Sequence, residues 1–352
     1  MSEEVEAIGW EAIDGALEQI YGGQEPMHYA SSIPYMLGGN DPLNGISVYR
    51  AQQPLPHWHF VTYGFSDLYE KETDDPDYSG YGFELTLRLV RQPDEQEPPA
   101  WTMNLLQNLA RYVFSSGNIF RNGDHMDANG PIMLGSDTKL TALGFITDPE
   151  LKEMDTPNGK VEFIQVVGIT ADELQVTQEW NTLGLLHTLA EYIPSYLTDL
   201  GRDSILTKPT ALQAVQEGSE REGSSTGFLF VDQLGWETHP GQDSADSHTF
   251  TLGAKQAEVV GKLLRRRILH NRSLTLVSSG LQVILEPGEQ PLVTQQDEGI
   301  QVQLNEATVN ELAELLKPIA GTVRLPSFPE VEVQVVQTHI KDTDGNVVQT
   351  IG

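Results

Sequence analysis

Along residues 9–22 apolar side chains recur at Ile13, Ala16, Leu17, Ile20 and Tyr21, the spacing of one face of an amphipathic helix. At 81–90 the period changes to two. Phe83, Leu85, Leu87 and Leu89 face one way and Glu84, Thr86 and Arg88 the other, which predicts a half-buried strand. QPDEQEPP then ends the ladder with prolines. A second helix is predicted over about 102–116, with Thr102 as its cap, Leu105, Leu109, Tyr112 and Val113 as its apolar stripe, and Gly117 as its stop. VEFIQVVGI, 161–169, is β-branched on both parities, the pattern of a central strand covered on two sides. Thr170 and Glu173 behind it have capping-box spacing for another helix.

Between 208 and 227 the apolar pattern fades into EGSEREGSSTG, which reads as a linker. Beyond it come strand-like GFLFVDQ, a loop HPGQDSADSH, a helix centred on 257–267, and short strands at SLTLVS, LQVILEP and IQVQL. A helix over about 306–317 carries Val309, Leu312, Leu315 and Leu316 on one face and stops at Pro318. The last segment, VEVQVVQTHIKDTDGNVVQTI, reads as a hairpin turning at Asp344-Gly345. No internal repeat is visible, and strands and helices mix without strict βαβ alternation. The expected fold is α+β: two mixed α/β domains, each a β-sheet with packed helices, at 1–207 and 228–352, joined by a short polar linker at 208–227.

The 352-residue length suits two cores better than one. Charge changes the picture more. Fifty-one acids against 21 Lys and Arg leave a formal net charge of -30. Such a chain repels nucleic-acid phosphates and speeds encounter with a basic protein or peptide. The plainer reading of the same charge is solubility. Cysteine is absent, which excludes disulfides and thiolate metal sites. No apolar run approaches the length of a membrane span, and MSEEVEAIGW lacks the basic and apolar regions of a signal peptide, so the expected location is the cytoplasm, with no membrane partner.

Candidate chemistry is sparse. In HWHFVTY, alternation puts His57, His59, Val61 and Tyr63 on one face, and a His-x-His pair can chelate zinc, iron or nickel if Asp67, Glu84 or His125 supplies a third ligand. A metal enzyme on His57, His59 and Asp67 is therefore one reading; the other is a structural strand whose imidazoles bond buried groups. SGYGFE has close glycines, but a strand follows where a phosphate loop needs a helix. DTDGN lacks the spacing of a calcium loop, and no GxSxG elbow is present. RNGDHMD places Asp124 in a polar turn, either a docking carboxylate or a solvated one. KLLRRRILHNR, the one basic cluster, can hold an acidic partner or simply end a helix with Arg265, Arg266 and Arg267 against its dipole.

Several longer blocks occur together: LGGNDPLNGISVYR, PHWHFVTYGFSDLYE, SGYGFELTLRL, LLQNLARYVFSSGNIFRNGDHM, and TDPELKEMDTPNGKVEFIQVVGITADELQVTQEWNTLGLL. In order and spacing they resemble the N-terminal domain of the Suppressor of fused family over about 35–205. LLRRRILHNRSLTLVSSGLQVIL and LPSFPEVEVQVV resemble its C-terminal domain less tightly. The resemblance implies a non-enzymatic binder without cofactor. It grips a short peptide in an inter-domain cleft by strand addition, with Asp124 of the GDH turn and Tyr112 of the ARYVF helix as contacts and Leu269 as the candidate from the second domain. It gives HWH no catalytic metal. The compact second half and absence of cysteine imply a bacterial member, in which the partner of animal members does not carry over. Bacterial relatives have been proposed as immunity proteins against secreted toxins, and the charge suits a basic toxin. A chaperone-like role with broad, weak binding is a further alternative.

Overall fold

The computed structural model describes all residues except 1–5, 32, 34, 242–245, 279, 297–298 and 342–344. The chain divides into two compact units, Met1–Thr177 with Thr182–Gln213, and Gln178–Asn181 with Ala214–Gly352.

The first unit contains α1 (Ile8–Tyr21), β1 (Met27–Ala30), β2 (Gly45–Ala51), β3 (His57–Tyr63), β4 (Tyr78–Val90), α2 (Ala100–Ser116), β5 (His125–Asp127), β6 (Leu140–Thr147), β7 (Met154–Thr156), β8 (Gly159–Thr170), most of α3 (Ala171–Glu179), and α4 (Thr182–Ala190). Its eight-stranded sheet runs β1-β2-β3-β4-β8-β6-β5, with β7 beside β8. Among the named strands of this sheet, over the described residues, only β4 and β8 pair in parallel. Alternation sorts the two faces. Trp58, Phe60, Leu85, Leu87 and Val166 pack under Leu106, Leu109 and Val113 of α2. On the opposite face, Val61, Tyr63 and Phe163 meet Ile13 and Leu17 of α1, while Val167 and Ile169 meet Leu185 and Leu189 of α4.

Two local expectations need correction here. β4 is buried on both faces: Glu84, Thr86 and Arg88 are all 0% exposed. Polar residues alternate along it because that face meets a hydrogen-bonded layer instead of water. Thr102 is not a cap either; Pro99 occupies that position and Thr102 is buried. By contrast Gly117 ends α2 in a left-handed conformation, φ 74°, and the Thr170 amide donates to Glu173 Oε2 at 2.9 Å, one arm of the capping box.

The expected linker is largely a helix, α5 (Pro209–Glu222), and the division between the units falls inside it. Its buried stripe is Ala211, Val215, Gly218 and Ser219, helical spacing in which Gly and Ser take positions where large apolar residues would have marked the face. A Cβ on Gly218 would stand 2.4 Å from Trp180 Cζ2, so the small residue is what lets the indole pack there.

The second unit adds β9 (Phe228–Phe230), β10 (Leu234–His239), β11 (Ser247–Gly253), α6 (Ala254–Ile268), β12 (Leu274–Ser278), β13 (Leu281–Pro287), β14 (Leu292–Gln296), β15 (Gly299–Leu304), α7 (Glu306–Leu315), β16 (Gly321–Arg324), β17 (Val331–Val336), β18 (Thr338–Lys341) and β19 (Val347–Ile351). One sheet runs β14-β15-β13-β12-β9 and another β10-β11-β17-β16. A single core joins them through α6 and α7, with Leu263, Leu264, Leu276, Val283, Val309 and Val333 at its centre. β18 and β19 form the terminal hairpin, while Asp344 of its expected turn lies outside the described residues. Four residues of the HPGQDSADSH loop, 242–245, lie outside them too.

Candidate functional site: two open sheet edges

Tyr112 lies on the margin of α2. The buried stripe is Leu106, Leu109, Ala110 and Val113, which leaves Tyr112 40% exposed. Its ring rests on Phe120 at 5.6 Å between centroids, and Phe120 stacks on Phe145 of β6 at 4.2 Å. Phe145 in turn is bonded through its backbone to the Asp124 turn: its amide donates to the Asp124 carbonyl at 2.9 Å, and the Gly123 amide donates back to the Phe145 carbonyl at 2.9 Å. The stack Tyr112–Phe120–Phe145 thus links α2 to the strand whose backbone bonds the Asp124 turn. The Asp124 carboxylate is partly engaged, since Oδ2 accepts from the Arg121 amide at 2.8 Å. With the Asp124 amide donating to the Arg121 carbonyl at 3.0 Å, that bond closes the turn. Immediately after it comes β5, which among the described residues pairs only with β6 and ends the sheet.

In the second unit the comparable edge is β9, which among the described residues pairs only with β12. Phe228 and Phe230 lie on one face of this strand by alternation and are 61% and 79% exposed. Sequence reasoning read GFLFVDQ as a strand but did not place these rings; an F-x-F pair in a short strand was the available signal. Leu269, the residue chosen instead, caps α6 and is 43% exposed. Near the root of β9, Arg267 Nη1 donates to the Ser224 carbonyl at 2.9 Å, and the Gly227 carbonyl accepts from the Thr275 amide at 2.8 Å. The arginine cluster ends α6 and is tied down within the unit. Arg266 pairs with Glu179 at 2.5 Å, Arg265 with Glu314 at 3.3 Å, and Arg267 donates to the Ser273 carbonyl.

The histidine pair belongs to a buried polar layer. His59 Nδ1 lies 2.6 Å from the Tyr21 hydroxyl, and its Nε2 is 3.6 Å from Asp148 Oδ2. Arg88 grips the same Asp148 carboxylate at 2.5 Å and reaches Glu150 at 2.8 Å, while Thr86 donates to Asp148 at 2.6 Å. Burial, followed by the Arg88 charge, pushes the His59 imidazole down to about 4 against the opposing pull of Asp148. Burial works to raise the Asp148 carboxyl, but His59 and Arg88 outweigh it and hold the group well below the usual carboxylate range. His57 Nδ1 lies 2.7 Å from the Leu55 carbonyl, its basicity lowered by burial. The other candidate ligands are elsewhere. Asp67 accepts from Thr73 at 3.1 Å, Glu84 is occupied by Thr62, Ser66 and Gly64, and His125 lies 3.0 Å from Thr182 Oγ1. Among the described residues no three His, Asp or Glu side chains are grouped to hold a metal ion. No helix among them is long and apolar enough to cross a membrane.

Two α/β units, each ending a sheet in an exposed edge strand, define a protein of mixed sheets with open backbone ladders. More specifically, the chain belongs to the Suppressor of fused family. The family described as Suppressor of fused protein (SUFU) matches residues 39–203. The human and mouse Suppressor of fused homologues are 34% and 35% identical over 275 residues, which is 72% of this chain and 56% of each relative. The chain thus spans little more than half the length of these curated relatives. The crystal structure of Drosophila Suppressor of Fused has the same fold, with a TM-score of 0.80 over 94% of this chain and 97% of that one at 24% identity. A chain of the Sufu-Fu complex crystal structure is 33% identical, covering 60% of this chain and 98% of its own length with a TM-score of 0.57.

Proposed function

We propose that this protein is a non-enzymatic binder that takes up an extended segment of a partner polypeptide by strand addition. The observation that carries this reading is β9: an open sheet edge with two phenylalanines, 61% and 79% exposed, on one face. Native proteins blunt or cover such edges because an unpaired ladder beside apolar side chains recruits other strands. The β5 edge, flanked by Asp124 and Tyr112, supplies a second ladder.

Magnitudes favour anchored binding over ladder bonds alone. Each edge is three residues long, and a few backbone hydrogen bonds at about 1 kcal/mol each fall well short of the roughly 8 kcal/mol of a micromolar complex. Covering the Phe228 and Phe230 rings adds about 2 kcal/mol apiece. A charge of -30 favours a basic partner. Neutralisation of a basic toxin in a bacterial cytoplasm, as an immunity protein, is the particular case we carry forward. The protein in the Sufu-Fu crystal structure is likewise found with a protein partner.

The test is affinity capture from the source organism's lysate with the unmodified protein, Asp124→Arg and Phe230→Asp, followed by titration of the partner identified by mass spectrometry. One partner, bound at least about tenfold more weakly by both variants while their circular dichroism is unchanged, is the expected result. Equal affinity across all three proteins removes the edge reading.

A further inference from the structure

The first unit holds a cleft of about 580 Å³ that plays no part in the edge reading. Its wall is assembled from separate stretches: Leu43 and Asn44 ahead of β2, the 64–69 segment after β3, Gly80 and Tyr81 of β4, and Phe114 of α2. Phe114 is two residues from Tyr112, about 200° around the helix, so α2 presents its two rings to different surroundings. Along the sheet, β8 and β6 separate β4 from β5, an offset of three strand spacings or roughly 14 Å.

The lining is aromatic with acidic points. Tyr81, Tyr35 and Phe65 surround Phe114 at 5.0, 5.7 and 6.1 Å between centroids, and Tyr69 is 40% exposed on the wall. Asp67 is only 9% exposed yet lines the space, with Thr73 donating to Oδ2 at 3.1 Å, and Glu72 adds a second, exposed carboxylate. No Lys, Arg or His stands among the described lining residues. The nearby Lys71 ammonium is already bonded to the Tyr78 and Asn158 carbonyls at 2.7 Å each.

The wall is held in shape. Glu84 accepts from the Gly64 and Ser66 amides at 2.9 and 3.0 Å, and Asn158 Nδ2 and Ser79 Oγ engage the Asp67 backbone at 2.8 and 2.9 Å. Gly80 has φ 57°, and a Cβ there would stand 2.4 Å from the Phe65 carbonyl oxygen. Gly80 of SGYGFE thus lets two backbones meet at the cleft wall.

We infer that this cleft receives a cationic side chain, Lys or Arg, from a basic segment of a partner polypeptide. Aromatic faces attract a cation, and a largely buried carboxylate at short range adds charge and a hydrogen-bond acceptor. A neutral apolar group would cover Asp67 without pairing it, and an anion would be repelled. The net charge of -30 brings basic segments to the surface. This inference rests on the reading of the protein as a polypeptide binder, but at a separate surface.

The experiment is amide NMR on the isotope-labelled full chain, titrated with N-acetyl-lysine N-methylamide, the arginine analogue, and the neutral norleucine analogue. Saturable shifts at Gly64, Asp67, Tyr69, Gly80 and Tyr81 are expected with a dissociation constant on the order of millimolar for the cations, and none for norleucine. Asp67→Asn should weaken cation binding at least about tenfold, and Tyr69→Leu about threefold. Asp124→Arg should leave it unchanged, which separates failure here from failure at the edge. Shifts scattered over surface acids, no saturable shift, or norleucine binding as well as lysine each overturn the inference. If Asp67→Asn does not fold, Tyr69→Leu and Glu72→Gln decide, and unchanged affinity in both has the same consequence.

Discussion

Replacing His59 by asparagine tests whether the HWH strand is a structural element with a neutral, buried imidazole. The ring is 0% exposed, its Nδ1 meets the Tyr21 hydroxyl, and Arg88 lies beside the same carboxylate that Nε2 faces. Burial and the Arg88 charge lower its pKa from 6.5 to about 4. Between those values the unfolded chain binds a proton that the folded chain refuses. The stabilisation is therefore complete above pH 6.5 and is lost as pH falls toward 4. One proton corresponds to about 1.4 kcal/mol per pH unit, so the interval from 6.5 to 5 is worth about 2 kcal/mol. Asp148, titrating only below the ordinary carboxylate range, does not enter this window. His57, shifted in the same direction, contributes equally to both proteins and cancels. Asparagine keeps an acceptor for Tyr21 and removes the titration. In urea unfolding at pH 7.5 and 5.0, the unmodified protein should lose about 2 kcal/mol more than His59→Asn. Equal losses, or a His59 ring carbon that titrates near 6.5 by NMR, would refute the assignment.

Other consequences follow from the same layers. Glu84→Ala strands the Gly64 and Ser66 amides and the Thr62 and Ser66 hydroxyls in a buried site, and should cost about 3–5 kcal/mol by urea unfolding; a loss under about 1 kcal/mol would mean the turn is held by something else. Gly218→Ala should destabilise the protein by about 1–3 kcal/mol in spite of alanine's helix propensity, because of the Trp180 contact, and a raised melting temperature would contradict that packing. Elemental analysis of purified protein should find zinc, iron and nickel far below one per chain, whereas near-stoichiometric metal would restore the enzyme reading of His57 and His59.

Local periodicity alone determined much of this protein. The apolar face of α1, the two-sided strand β8, the Thr170–Glu173 cap and the Gly117 stop follow from side chains within a turn or two of one another. The blocks over about 35–205 pointed to the family that matches at 39–203. Tertiary structure decided the rest. Whether the polar side of β4 faces water or the Asp148 layer depends on what covers it, and a strict two-residue alternation is the same in both cases. α5 was hidden because its buried stripe is Ala, Val, Gly and Ser, with Gly218 required by the Trp180 ring packed against it. β9 reads as an apolar strand wherever it sits, and only the pairing order makes it an edge with its phenylalanines uncovered. The cleft draws its lining from segments between 31 and 114 that no spacing rule connects. A side chain's own conformational preferences are local and written in sequence, but burial and juxtaposition are set by which distant backbone arrives beside it.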